Sequence, residues 1–151
     1  MQWQKEEFTV STDRESFDIS VIHQFLSEDA YWCQGIPLET LTRAIENSLC
    51  FGLFHQAQQI GFARMITDQA TFAYLADVFI LPGFRGKKLS KWLITCIQSH
   101  PHLQGLRRVT LVTADAQGLY AQFGFTQLKN PERFMEINNP DTYKPLAARP
   151  E

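Results

Sequence analysis

The 151-residue sequence predicts a single α/β domain in which a mixed sheet carries helices on both faces. Three observations predict this class. Apolar and β-branched runs recur through the middle of the chain (LCFGLF, IGFARMI, TFAYLADVFI), parted by short polar stretches at the spacing of antiparallel hairpins. Helical periodicity appears twice before these runs and again after them. The last run, Leu75 to Leu81, passes through Pro82 and Gly83 straight into a helix, with two lysines and an arginine in FRGKKLS at the changeover. The resulting order, β-α-α-β-β-β-α-β-α-β-β, needs helices on both faces to bury the sheet.

Each element has its own signal. Phe8 to Ser11 alternates weakly and predicts the first strand. Asp18 is placed to cap a helix with Ile19, Ile22, Phe25 and Leu26 on its apolar face. DAYWCQGIPLE breaks that helix at Gly35, and Pro37 suits the first turn of a second helix striped by Leu38, Leu41 and Ile45 and ending before Asn47. Leu49 to Phe54 and Ile60 to Ile66 predict a hairpin. A TDQA turn leads to a strand from Thr71 that merges with the run ending at Ile80. Leu89, Trp92, Leu93, Cys96 and Ile97 then share one helical face. Arg108 to Val112 predicts a strand, Ala116 to Gln122 a short helix, GFTQL a further strand, and Arg133 to Ile137 the strand that closes the sheet. Phe72, Phe79 and Phe123 read as core. The domain is expected over 1–137, with 138–151 as a C-terminal tail or docking arm.

Composition bounds the function. Hydrophobic residues at 44% and charged residues at 20% describe a globular chain. A formal charge of -2 argues against a nucleic-acid binder that relies on bulk positive charge. No apolar run approaches the ~20 residues that span a bilayer, and MQWQKEEF lacks the apolar segment of a secretory signal. Cys33, Cys50 and Cys96 are widely spaced, with no CxxC pair, and suggest free thiols in the cytoplasm. Cys33 lacks the sequence context of a catalytic thiol, and His100 and His102 alone do not make a metal site. No metal is expected. Arg107 and Arg108 read as a solvated strand entrance.

The changeover from strand to helix directs free backbone N–H groups and the positive end of a helix dipole at one spot, which suits a phosphate. The segment LADVFILPGFRGKKLSKWL resembles motif A of the GNAT superfamily of acyl-CoA-dependent N-acetyltransferases, Arg/Gln-x-x-Gly-x-Gly/Ala between a strand and a helix. Arg85 takes the first place, while Lys88 and Ser90 stand where the family prefers small residues. About thirty residues on, TADAQGLYAQFGF is similar to the family's later signature, Asn-x-x-Ala-x-x-Leu-Tyr-x-x-x-Gly-Phe. Ala116, Leu119, Tyr120, Gly124 and Phe125 match it, and Thr113 replaces Asn. The run from SLCFGLF to DAQGLYAQFGF further resembles a bacterial GNAT subfamily of mostly unassigned substrate.

The resemblance implies the GNAT fold, a mostly antiparallel twisted sheet flanked by helices, and acetyl transfer from acetyl-CoA to a primary amine by direct attack in a ternary complex. It leaves a monomer or a homodimer, while charge and the lack of a long apolar run point to no nucleic-acid or membrane partner. Phe79, Ile80 and Leu81 would pair with the pantetheine arm, and a bulge there would aim an N–H at the thioester oxygen. Arg85, Gly86, Lys87, Lys88, Leu89 and Ser90 would cradle the pyrophosphate, and Thr113 would face the pantetheine. Tyr120 would protonate the departing thiolate; as a plain residue it would pack half-buried with a wet hydroxyl. Asp77 would take the amine proton, or would pair with Arg64 across strands. Glu39 would be a second base, or would complement a helix dipole. Tyr31 and Trp32 would stack on the acceptor, or clasp their loop to the core. A non-catalytic acyl-CoA-binding module is the rival reading from outside enzymology, kept open by Lys88 and opposed by Tyr120.

Overall fold

The computed structural model describes residues 1–144. Six strands form one sheet in chain order: β1 (Gln2–Lys5), β2 (Phe8–Ser11), β3 (Leu49–His55), β4 (Gln58–Thr67), β5 (Phe72–Ile80) and β6 (Arg108–Leu111). All neighbours are antiparallel except β5 and β6, which run parallel from Phe72↔Arg108 to Leu75↔Leu111. A parallel neighbour needs a crossover, and α3 (Leu89–Ser99) supplies it. Helices α1 (Ile19–Gln24) and α2 (Leu38–Glu46) bridge β2 and β3, and α4 (Gln117–Ala121) follows β6. Among the described residues no helix is long and apolar enough to cross a membrane.

Two apolar clusters sandwich the sheet. On one face Phe51, Leu53, Ala63, Met65 and Leu75 pack against Leu89, Leu93, Ile94, Cys96 and Ile97 of α3. On the other, Phe62 and Phe79 meet Ile22, Phe25, Leu26, Leu41 and Ile45 from the α1–α2 side. Phe25 and Phe79 stack at 4.1 Å between centroids, a geometry worth about 1 kcal/mol beyond the area it buries. Buried Gln59 ties the layers: its side chain accepts from the Asp18 N–H at 2.7 Å and donates to the Gly61 carbonyl at 3.1 Å. The three cysteines are free and buried. Burial pushes the Cys33 and Cys50 thiols up to about 12 and that of Cys96 up to about 11. His100 is buried against Trp3 and Phe51, and desolvation lowers its pKa.

Several elements form as the sequence predicts. Asp18 caps α1 by accepting from the Val21 N–H at 3.2 Å, and the helix continues in a wide π turn over Phe25–Asp29. Other expectations are corrected. A strand precedes the expected first one, because the polar segment Gln2–Lys5 pairs along the edge of β2. Leu38 is 50% exposed and Phe72 39% exposed, so neither is core; Leu38 sits on the solvent side of α2 and Phe72 at the open start of β5. The two strands expected after α4 do not form. GFTQL is irregular, Pro131–Arg133 makes a 3-10 turn, and 134–138 joins no ladder. Proline lacks an N–H for a ladder, and although both segments line the same cavity as Arg108, Val109 and Thr110, neither pairs with β6.

Candidate active site

The parallel pairing of β5 and β6 stops at Leu75 and Leu111, while β5 runs on to Ile80. A β-bulge drives the separation. Phe62 faces Phe79 and Arg64 faces Ala76, so Ala63 alone opposes both Asp77 and Val78. Asp77 adopts a left-handed φ of 56° to make the bulge. The resulting cleft of about 260 Å³ is lined by Tyr31, Trp32, Tyr74, Asp77, Val78, Thr113 and Tyr120, among others. The expected bulge lay at Phe79–Leu81, whereas the structure puts it two residues earlier.

Backbone direction along β5 sorts the residues assigned to the pantetheine. The Leu81 N–H bonds the Ile60 carbonyl at 2.8 Å and so faces β4. By alternation Ile80 faces the cleft side, and its carbonyl there accepts from Arg85 Nε at 2.9 Å. Phe79 shares the direction of Leu81, and its ring belongs to the core. Val78, which sequence reasoning passed over, lies in the bulge and lines the cleft. Only a bulge located in advance could have flagged it.

Below the cleft the chain turns into α3. Gly86 has φ +80°, and Lys88, the residue before the helix, has φ +61°. The first bond into the helix runs from the Trp92 N–H to the Lys88 carbonyl at 3.2 Å, so the amides of Leu89, Ser90 and Lys91 have no intrahelical acceptor. Lys87 and Lys88 are exposed beside them. A left-handed lysine costs about 1 kcal/mol relative to glycine. Lys88→Gly should therefore raise stability by about that amount, read as a higher denaturant midpoint at unchanged slope. A lower midpoint would show that the lysine side chain more than offsets its backbone strain.

Tyr120 reaches the cleft from α4. It is 9% exposed, its ring meets Phe125 edge-on at 5.8 Å, and no described residue bonds its hydroxyl. Desolvation raises its pKa above the usual tyrosine value. Thr113 lines the same cleft, but its hydroxyl already accepts from the Ala116 N–H at 3.1 Å, holding the turn before α4.

The opposite wall is a polar network. Arg64 Nε donates to Asp77 Oδ2 at 2.8 Å and Arg64 Nη1 donates to Ser48 Oγ at 3.1 Å. Trp32 Nε1 donates to Asp77 Oδ1 at 3.0 Å. Asp77 thus pairs with Arg64, with side chains only 8% and 16% exposed. Tyr31 stands edge-on to Trp32, and its hydroxyl accepts from the Ala114 N–H at 3.3 Å. The aromatic pair spans from the α1–α2 loop to both cleft walls while staying 60% and 45% exposed. Glu39 lies on the exposed first turn of α2 and does not line the cleft.

Comparison with known proteins identifies the family. A family model described as an acetyltransferase (GNAT) domain matches residues 46–127. A Gibberella zeae protein described as a candidate acetyltransferase is 34% identical over 80% of this chain and 79% of its own. The crystal structure of a candidate GNAT acetyltransferase from Xanthomonas campestris pv. campestris superposes with a TM-score of 0.91 at 49% identity, covering 94% of this chain and all of that one. At 18% identity, N-acetylglutamate synthase from Neisseria gonorrhoeae, solved with coenzyme A and N-acetyl-glutamate, shares the fold at a TM-score of 0.68 over 85% of this chain and 30% of its own. By the family model over more than half of its length and by these relatives, this chain belongs to the GNAT acetyltransferases.

Proposed function

We propose that the protein moves an acetyl group from acetyl-CoA to a primary amine by direct attack in a ternary complex. The observation that carries this reading is the cleft itself, where the strands part beside an unbonded tyrosine hydroxyl. Acetyl-CoA, when bound, supplies the thioester carbonyl and a thiolate leaving group. The residues present fit it. The free amides at the start of α3 and the flanking Lys87 and Lys88 suit a pyrophosphate, with Arg85 holding the loop to β5 through the Ile80 carbonyl. Ile80 and Val78 turn backbone toward the cleft, and a bulge amide is a ready oxyanion donor.

Tyr120 holds a proton at its hydroxyl for the leaving group, and its raised pKa keeps that proton in place at neutral pH. Asp77 orients Trp32 and anchors the bulge through both of its oxygens. The amine proton then leaves by a water chain toward exposed Asp115, which lines the same cleft. Tyr31 and Trp32 wall the acceptor side with aromatic faces that suit an apolar or cationic amine. Three free, buried thiols suit a reducing compartment, and we place the reaction in the cytoplasm. The test is acetyl-CoA with a panel of polyamines, amino acids, aminoglycosides and lysine peptides, followed by CoA release. Transfer to any amine establishes the enzyme. Tight acetyl-CoA binding without transfer or hydrolysis across the panel would favour the non-catalytic acyl-CoA-binding module.

A further inference from the structure

The cleft beside Tyr120 carries charge as well as shape. Its described lining holds two carboxylates, Asp77 and Asp115, and no lysine, arginine or histidine. Arg64 is engaged behind the wall, with Asp77 Oδ2 at 2.8 Å and Ser48 Oγ at 3.1 Å, so that pair adds little net charge. A third carboxylate arrives from the C-terminal segment. Alternation along β5 and β6 puts Arg108, paired with Phe72, on the same face of the sheet as Tyr74, paired with Thr110. The Phe134 ring lies over the Arg108 guanidinium at 4.9 Å and holds the segment there. Further on, Tyr143 packs against the apolar cluster of the α1–α2 side, its carbonyl 3.1 Å from where a side chain on Gly35 would begin. Between these anchors Glu136 comes within electrostatic reach of the Tyr74 hydroxyl. Tyr74 thus stands among two carboxylates, Asp77 and Glu136, and one guanidinium, Arg64. Desolvation raises its pKa first, and the two carboxylates add to that against Arg64.

Aromatic surface borders the same space. Tyr31, Trp32 and Tyr74 line the cleft, and two of these rings are fixed, Tyr31 by the Ala114 N–H and Trp32 by Asp77 Oδ1. Ring faces and carboxylates attract the same guest, a cation. The reacting amine is not that guest, because it must be neutral to attack, and a negative field holds an amine in its charged form. The field is useful to a charge that stays on the acceptor throughout. Tyr120, 9% exposed and with its hydroxyl bonded to no described residue, serves the reacting end.

Given the acetyl transfer proposed above, on which this rests, we infer that the acceptor is a small amine with a second positive charge. Its reacting nitrogen lies at Tyr120, and its far ammonium lies among Tyr74, Glu136 and the ring faces of Tyr31 and Trp32. The near nitrogen, deprotonated, attacks the acetyl carbon. The N–C bond forms as the C–S bond breaks, the nitrogen gives up a proton toward solvent, and the thiolate takes one from Tyr120. The far ammonium keeps its charge.

The test is kcat/KM at saturating acetyl-CoA for three acceptors of matched length: putrescine, butylamine and γ-aminobutyrate. Putrescine is expected to lead butylamine by about tenfold, beyond the statistical advantage of two reactive ends, with γ-aminobutyrate poorest. Glu136→Gln should cut that lead about threefold, and Glu136→Lys should move the preference toward γ-aminobutyrate. Glu136 is exposed, so neither variant disturbs the core. Putrescine and butylamine used equally well, or a lead that survives both variants, overturns the inference and leaves acetyl transfer standing. If no amine is acetylated, calorimetry of putrescine on the CoA-bound protein decides. Binding weakened by Glu136→Gln upholds the cation site while the transfer reading falls, and absent binding overturns both.

Discussion

Replacing Tyr120 by Phe is expected to lower kcat about 100-fold while leaving acetyl-CoA affinity within about twofold. General acid groups contribute on the order of 10²–10⁴ to rate, and the phenyl ring preserves the packing against Phe125. Kinetics at saturating acetyl-CoA, with calorimetry for affinity, separate the two effects. The wild-type pH profile carries a signature of the same role. An acid works only while protonated, so activity falls as pH rises through its pKa. Burial raises that pKa, so the alkaline limb should lie above that of an ordinary tyrosine and disappear in Tyr120→Phe. Unchanged turnover in the variant would leave the hydroxyl without a part in the reaction.

The second large effect is on stability. Asp77→Ala removes one half of a pair whose side chains are 8% and 16% exposed, and leaves the Arg64 guanidinium and the Trp32 indole N–H without their acceptor. Breaking a buried pair from one side costs about 3 kcal/mol, which lowers Tm by roughly 6–12 °C for a domain of this size. Removing both charges, as Arg64→Met with Asp77→Leu, should recover much of that loss. A loss below about 1 kcal/mol in the single variant would mean that Arg64 re-solvates and the pair behaves as a surface contact. Asp77→Asn divides structure from chemistry: a folded variant with full activity leaves Asp77 an anchor, whereas a folded variant without activity restores it as the base.

The parts of the fold legible in the sequence are those set by local rules. Asp18 announces its helix because a short carboxylate is the natural acceptor for first-turn amides, and the α3 stripe announces itself through its 3.6-residue period. The unusual backbone at Lys88 was also legible, since glycine commonly occupies that place in the family pattern. Parts set by long-range partners were not legible. Gln2–Lys5 has no apolar alternation, and its strand exists because β2 offers an edge. The bond from Trp32 to Asp77 joins residues 45 apart, and no spacing rule reaches that far. The left-handed bulge at Asp77 carries no glycine to mark it. The C-terminal runs have strand composition, yet a strand is defined by its neighbour, and neither run pairs with the free edge of β6.

The buried thiols have a practical consequence. The proposed reaction releases one new sulfhydryl per acetyl group moved, and chromogenic disulfide reagents count sulfhydryls. With burial raising the pKa of all three thiols, little of any of them is thiolate at pH 8. Continuous colorimetric screening should therefore run on a flat baseline with no cysteine replaced, and a slow rise in colour without substrate would serve as a direct readout of unfolding.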